Sequence, residues 1–385
     1  TAQLIHAEDG YHLWSETYDR SLENIFAIQD EIAAEVVAQL KLTLLGVVPI
    51  VQKIDPEAFS LFLQARHLLR LGSPEGFEQS IALLKQTLVI NPDYAEAWAN
   101  LGLCYFNQST SGLIAQETGW TLTEEALNKA LVLDPDNAPA LSRLAGLALF
   151  KSGDLNHSAK LHERALSLEP SSPIVLGNAS NFLNILERMD EVIALREYIA
   201  DLDPVNPTSL SNLGDSYQIV GRLDEALTLF RTVLTLSPSY SGAHYRVGRA
   251  LLLKDEPELA LASFIQETAD EEYQVKGTAL ALYALGRQDE YEAKLFELIE
   301  RWGDVWPSEV AHVYAYTGDT DAAFEWLVKS AAEEEGTFFP KDPLLISLQD
   351  DPRWLPFLES IGKSPAQLDA IEFKVTPVSY THLTL

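Results

Sequence analysis

Between residue 58 and about residue 332 the large apolar positions fall into pairs of helical runs, and the pairs recur at a period of about 34 residues. The clearest unit runs from Pro207 to Pro238, PTSLSNLGDSYQIVGRLDEALTLFRTVLTLSP. Its first run places Leu210, Leu213 and Tyr217 at three- and four-residue steps around Gly214, and its second places Ala226 and Phe230 ahead of the closing proline. Each unit therefore predicts two antiparallel helices, with Gly214 letting them approach closely while Tyr217 and Phe230 fill the space between them. Closing prolines fall at Pro92, Pro135, Pro170, Pro204 and Pro238, the last three intervals being 35, 34 and 34. Gly153, Gly221, Gly286 and Gly318 mark the turn between the two helices of their units.

Aligned on this unit, the others supply Trp98, Leu101, Gly102 and Tyr105, then Leu144, Gly146 and Ala165, then Val247, Gly248, Ala260 and Phe264. About eight units result. The first has three extra residues around Gly72 to Gly76, the second has nine between Tyr105 and Trp120, and the step from the sixth to the seventh is three short. Insertions of this kind are expected to form loops on one face of the array.

The amino terminus reads differently. TAQLIHA and YHLWSETYDR alternate as two strands joined by Glu8, Asp9 and Gly10, with apolar residues on both faces, Leu4 and Trp14, Ile5 and Leu13. Ser21 then caps an expected helix carrying Ile25, Ile28, Ile32, Val36 and Leu40, ended by Gly46 and Pro49. Two strands and one helix are too little to stand alone, so residues 1–46 read as the end of a truncated α/β domain, followed by a linker over 47–57.

At the other end, FFPKDPLLISLQDDPRWLPFLESIGKS leaves the repeat pattern and reads as short helices around Pro343, Pro352 and Pro356. Residues 333–377 are expected to cap the array. VSYTHLTL, residues 378–385, resembles a translated transposase-end adapter of sequencing libraries and is set aside from the fold.

Large-large-small-large followed by small-large-proline, as at Leu210, Leu213, Gly214, Tyr217, Ala226, Phe230 and Pro238, resembles the tetratricopeptide repeat. The resemblance implies a mainly α fold, a right-handed α-α superhelix of helical hairpins over residues 58–332, here preceded by a small β-hairpin and helix. The run from Thr1 to Leu40 resembles the end of the TolB-like domain of bacterial multidomain regulators, in which repeats follow an adenylate cyclase, a winged-helix domain or a protein kinase. None of those effectors lies in this sequence.

With 57 acidic against 27 basic residues the chain carries −30, which disfavours nucleic acid, an anionic membrane and an anionic ligand in any groove. Cys104 is the single cysteine, so disulfides, CxxC chemistry and multi-cysteine zinc sites are excluded, and a buried, inert thiol is expected. Four enzyme-like patterns fail. His162-Glu163 meets Leu166 where a zinc helix needs its second His, and both read as solvated. Gly362-Lys363-Ser364 lacks the leading Gly of a phosphate loop, Gly214-Asp215-Ser216 lacks the closing Gly of a nucleophile elbow, and Glu333-Glu334-Glu335 is a charge run. No cofactor, metal or catalytic residue is expected.

The resemblance implies a groove lined by the first helix of each unit. Its positions here are Phe59, Phe62, Arg66 and Leu69, then Leu103 and Phe106, then Arg143, Leu147 and Phe150. A polar middle of Asn181, Asn184, Asp215 and Gln218 is followed by Tyr245, Arg249, Lys276 and Tyr283. Aromatics beside amides suit an extended peptide; the same Phe residues equally suit packing between repeats. Asn181, Asn212 and Arg246 match part of a chaperone-tail carboxylate clamp, but Gly177 and Gly242 stand where it needs lysines. The expected role is a non-catalytic protein- or peptide-binding scaffold, an arm of a bacterial signalling protein. Two other roles fit: the scaffold part of a cyclase or Ser/Thr kinase whose catalytic domain lies upstream, and an assembly factor of an envelope or secretion complex. Compartment, cytoplasmic or periplasmic, stays open.

Overall fold

The computed structural model describes residues 2–5, 12–16, 54–70, 73–332 and 339–375. Two compact units divide the chain at Pro56. In the first, β1 (Ala2–Ile5) and β2 (His12–Glu16) pair antiparallel, with Leu4 opposite Trp14 and a register shift that sets Ile5 opposite His12. The connecting residues, the helix expected from Ser21, the linker over 47–53, Glu333 to Glu335 and the last ten residues lie outside the described ones.

The second unit is helical. Sixteen helices follow from Pro56 to Ala332: α1 (Pro56–Arg70), α2 (Pro74–Ile90), α3 (Ala95–Thr110), α4 (Gln116–Leu133), α5 (Ala138–Ser152), α6 (Leu155–Leu168), α7 (Pro173–Ile185), α8 (Met189–Leu202), α9 (Pro207–Ile219), α10 (Leu223–Leu236), α11 (Ala243–Leu253), α12 (Pro257–Phe264), α13 (Glu271–Ala284), α14 (Gln288–Trp302), α15 (Pro307–Thr317) and α16 (Thr320–Ala332). From α3 on, odd-numbered helices pack on the even-numbered helix that follows, and most also touch the next odd-numbered one, so the first helices make one layer and the second helices another.

Turn chemistry explains the regular hairpins. Gly153, Gly221, Gly286 and Gly318 all have positive φ, between 63° and 80°, where a side chain is strained. In the fourth and sixth hairpins Glu187 (φ 58°) and Asp255 (φ 62°) hold that conformation without glycine, a cost the surrounding contacts must carry.

The glycine inside the first helix is used for contact. A Cβ on Gly214 would lie 2.5 Å from the Phe230 ring, one on Gly248 2.5 Å from Phe264, and one on Gly102 3.0 Å from Leu127. Gly146 breaks the rule, because nothing lies within 4 Å of its missing side chain. The nine additional residues of the second unit form no loop of that size: they lengthen α3 to 16 and α4 to 18 residues, with Gly119 pressed on the Ser109 side chain where the extended helices meet. Extending two existing helices continues their hydrogen-bond ladders, which a loop would leave to water.

After α16 the chain forms a 3₁₀ turn (Pro343–Leu348), α17 (Trp354–Ser360) and α18 (Pro365–Asp369). Leu345, Leu348, Trp354 and Phe357 cover Ala311, Ala315, Phe324 and Leu327 of the last hairpin. The segment then does more than close an end. Leu368 and Phe373 join the core of the third and fourth hairpins, beside Leu141, Val175 and Phe182.

Candidate functional site

A cavity of about 620 Å³ runs along the first-helix layer, from Leu103 and Phe106 on α3 to Glu309 and His312 on α15. One wall comes from beyond the array, where Phe339, Asp342 and Leu344 face in. Of the positions implied by the repeat register, Leu103, Phe106, Arg143, Phe150, Asn181, Asn184, Asp215, Tyr245, Arg249 and Lys276 line it.

Other expected positions lie elsewhere, each for a packing reason. Phe62 is buried on Tyr94 at 4.8 Å, Arg66 lies over the Phe62 ring, and Phe59 is 45% exposed. No hairpin precedes α1 within this unit, so its apolar face closes on the entry to α3 instead. Leu69 and Leu147 are core. Gln218 is buried behind the wall, its Oε1 accepting from Arg249 Nε at 2.6 Å. Tyr283 donates to the Thr317 carbonyl at 2.8 Å, with its ring edge on Tyr291.

At the α3 end the cavity is apolar. Phe106 and Phe150 meet edge to face at 5.2 Å, and the bare backbone of Gly146 leaves room beneath them. Arg143 enters this surrounding with its Nη1 buried and no protein acceptor. Burial lowers its pKa to about 10, so it is cationic at neutral pH. Cys104, beside it, is buried against Ser80 Oγ at 3.3 Å, and burial pushes the thiol up to about 11, which leaves it unreactive.

The middle is held by two polar side chains where neighbouring hairpins carry apolar ones. In the last four hairpins the eighth residue of the second helix is Phe230 in α10, Phe264 in α12, Leu295 in α14 and Leu327 in α16, but it is His162 in α6 and Arg196 in α8. Arg196 donates to Ser216 Oγ (2.7 Å), the Asn212 carbonyl (2.8 Å) and Asn181 Oδ1 (2.8 Å). Asn181 is thus engaged within the protein. His162, read from the sequence as solvated, is 1% exposed and stacks on Phe182 at 5.2 Å. Both His162 and Arg196 line the cavity. Their signal in the sequence is a polar residue at a position the last four repeats fill with Phe or Leu.

Burial lowers the His162 pKa to about 4, so the unfolded chain takes up a proton near pH 6.5 that the folded chain refuses. This contribution to stability is full above pH 6.5 and declines as pH falls toward 4. Between pH 7 and pH 5 the wild type is expected to lose about 2 kcal/mol more than His162→Leu does, as read from urea midpoints at both values. Equal losses would place the imidazole in contact with water.

The far end is charged and paired. Arg246 meets Asp215 at 3.0 Å and Arg249 meets Asp342 at 3.2 Å. Tyr245 stacks on Tyr273 at 4.7 Å, and the Lys276 ammonium lies 4.6 Å from the Tyr245 ring centre while pairing with Glu309. Burial works to raise the Glu309 pKa, but Lys276 and then His312 outweigh it and hold the carboxyl well below the usual carboxylate range. Arg143, Arg196, Arg246, Arg249 and Lys276 outnumber Asp215, Glu309 and Asp342 around the cavity. The acidic surplus of the chain therefore lies outside it, and the expectation that −30 disfavours an anionic group here does not carry over to this interior.

Comparison with known proteins agrees with the geometry. The family described as tetratricopeptide repeat matches residues 211–272. "Putative adenylate cyclase 3" of Rhizobium meliloti (strain 1021) is 32% identical over 138 residues, which is 33% of this chain and 23% of that protein, so the match spans about a quarter of the relative. Among solved structures, a human IFIT1 dimer with PPP-AAAA is similar in fold, at 15% identity and a TM-score of 0.50, covering 81% of each chain. Pseudomonas aeruginosa PilF matches at 19% identity and a TM-score of 0.42, over 54% of this chain and 90% of its own. The family match falls on the fifth and sixth hairpins, so residues 211–272 are similar to tetratricopeptide repeats, and the other helical hairpins share their architecture.

Proposed function

We propose that the chain is a non-catalytic scaffold that takes an extended peptide along its first-helix cavity, as the interaction arm of a larger bacterial regulator. The observation that carries the binding role is the cavity itself, open along seven successive first helices, α3 to α15, with an apolar aromatic end and a polar continuation. Arg143 refines the ligand. A buried guanidinium with an unmet donor among apolar neighbours is costly alone and is relieved by a carboxylate. The ligand is therefore a peptide with an acidic residue near an aromatic or aliphatic one. The regulator context rests on the TolB-like run before Leu40 and on the cyclase-named relative, and residues 1–46 are assigned in it to a truncated α/β domain.

Selection of a random peptide library on the chain is expected to enrich acidic-apolar sequences. Their affinity should fall at least tenfold in Phe150→Asp and stay unchanged in Val132→Asp, an exposed position on α4. No enrichment, or an equal effect of the two substitutions, would refute the cavity as the binding site. Coding sequence upstream of Thr1 that lacks any effector domain would refute the regulator context.

A further inference from the structure

Residues 371–375, Ile-Glu-Phe-Lys-Val, lie on the third and fourth hairpins outside any helix or paired strand. Phe373 is 4% exposed and Ile371 and Val375 are half-buried on the same core, while Glu372 and Lys374 face solvent. That alternation is the mark of an extended chain laid on a surface. The Phe373 ring stands edge-on to Phe182 at 5.0 Å and lies 6.2 Å from His162.

Its backbone is gripped by side chains. Arg188 Nη1 donates to the Phe373 carbonyl at 2.7 Å, and the Lys374 N–H donates to Glu163 Oε1 at 2.8 Å. Arg188 is itself fixed by a two-pronged pairing with Glu191, at 2.5 and 2.7 Å. Both ends of the single peptide group that joins Phe373 to Lys374 are thus held, the carbonyl by Arg188 and the N–H by Glu163, beside the buried Phe373 ring, an arrangement that reads an extended backbone carrying an apolar side chain at every second position. The Ile371 N–H donates to the Leu368 carbonyl, whereas the two bonds from Arg188 and Glu163 span 185 and 211 positions of sequence.

We propose that this surface is a second peptide site, a slot for an extended segment of the form apolar-x-Phe-x-apolar, which residues 371–375 occupy in cis. A partner protein carrying such a segment binds there by displacing them. The slot is distinct in ligand chemistry from the acidic peptide assigned to the cavity, and the proposal stands whether or not the cavity binds. His162 and Phe182 belong to both the slot and the cavity wall, so an occupant of the slot fixes the wall against which a cavity ligand packs.

A tethered segment acts at an effective concentration of about 1 mM. A fluorescein-labelled peptide of residues 369–377 at about 50 µM is therefore expected to occupy less than roughly a tenth of the wild-type chain. With Phe373→Ala in the full chain, occupancy should rise at least fivefold by fluorescence anisotropy. Adding Arg188→Ala to that variant should lower it again, and a peptide with Phe373 replaced by Ala should bind neither protein. Hydrogen exchange on the unaltered chain gives a reading that depends on no variant: the amide of Lys374 should exchange more slowly than a free peptide, and faster when about 1 mM competing peptide is present. Equal binding to wild type and Phe373→Ala, no binding to the variant up to about 1 mM, or an unprotected Lys374 amide would each overturn the slot.

Discussion

Gly214→Leu is expected to cost the fold about 3 kcal/mol and to lower its thermal midpoint by about 4 °C, whereas Gly146→Ala, at the corresponding place two hairpins earlier, raises it slightly. The contrast follows from what stands opposite each glycine. On α9 even a Cβ would come within 2.5 Å of the fully buried Phe230 ring, and neither can yield, since Phe230 is packed by Leu213, Tyr217, Ala226 and Leu227 in one core. A leucine there must push α9 and α10 apart and forfeit contacts along both. On α5 no atom lies within 4 Å of the missing Cβ, so alanine meets nothing and lowers the entropy lost on forming the helix by about 0.5 to 1 kcal/mol. Circular-dichroism melts of the two variants decide the matter. Similar destabilisation by both would mean that Gly146 also carries a helix contact.

Lys276→Met is expected to destabilise the chain by about 3 kcal/mol, and Lys276→Met with Glu309→Leu to recover most of that loss. Lys276 is 4% and Glu309 24% exposed by side chain, so removing the ammonium strands a carboxylate from which most water is excluded. His312, 3.5 Å away, is its remaining neighbour of opposite potential charge. Tyr245 and Tyr273 lose the cation over their stacked rings as well. Replacing both charges by apolar groups removes the desolvation cost along with the attraction, which is why the double variant recovers. Because the Glu309 pKa is depressed, the pair's contribution is present above the ordinary carboxylate pKa and lost as pH falls through the depressed value. Urea titrations of the wild type, Lys276→Met, Glu309→Leu and the double variant close the cycle. A double variant as unstable as the single one would show that the pair serves packing rather than charge.

The helical hairpins were legible because a repeat states its pattern many times. Gly214 opposite Phe230 is one instance, and Gly248 opposite Phe264 says the same thing again. Much of the cavity wall followed from that register, since a residue two turns along a first helix must face the same layer. The exceptions lie where side chains meet partners from distant sequence. Tyr283 is drawn out by Thr317, 34 positions away, and Gln218 is held by Arg249, 31 positions away. His162 and Arg196 carried a signal, a polar residue in an apolar slot of the repeat, which acquires meaning only when the second helices are compared position by position. The fold-back at Phe373 had none: five alternating residues in an otherwise irregular tail are too short a pattern to name their partner.

That fold-back changes how the array comes apart. A solenoid in which each hairpin touches only its neighbours unfolds piecemeal from its ends, and its terminal hairpins fray at little expense to the rest. Here the chain beyond α16 lies on the eighth hairpin and, through Leu368 and Phe373, on the third and fourth. The intervening hairpins thus form a closed circuit. Fraying of the eighth hairpin pulls on contacts in the third, so loss of one end is shared with the middle and unfolding becomes more nearly all-or-none. Forming the circuit requires a long loop to close first, which makes this region the slow step in folding of a protein whose hairpins otherwise assemble from local contacts.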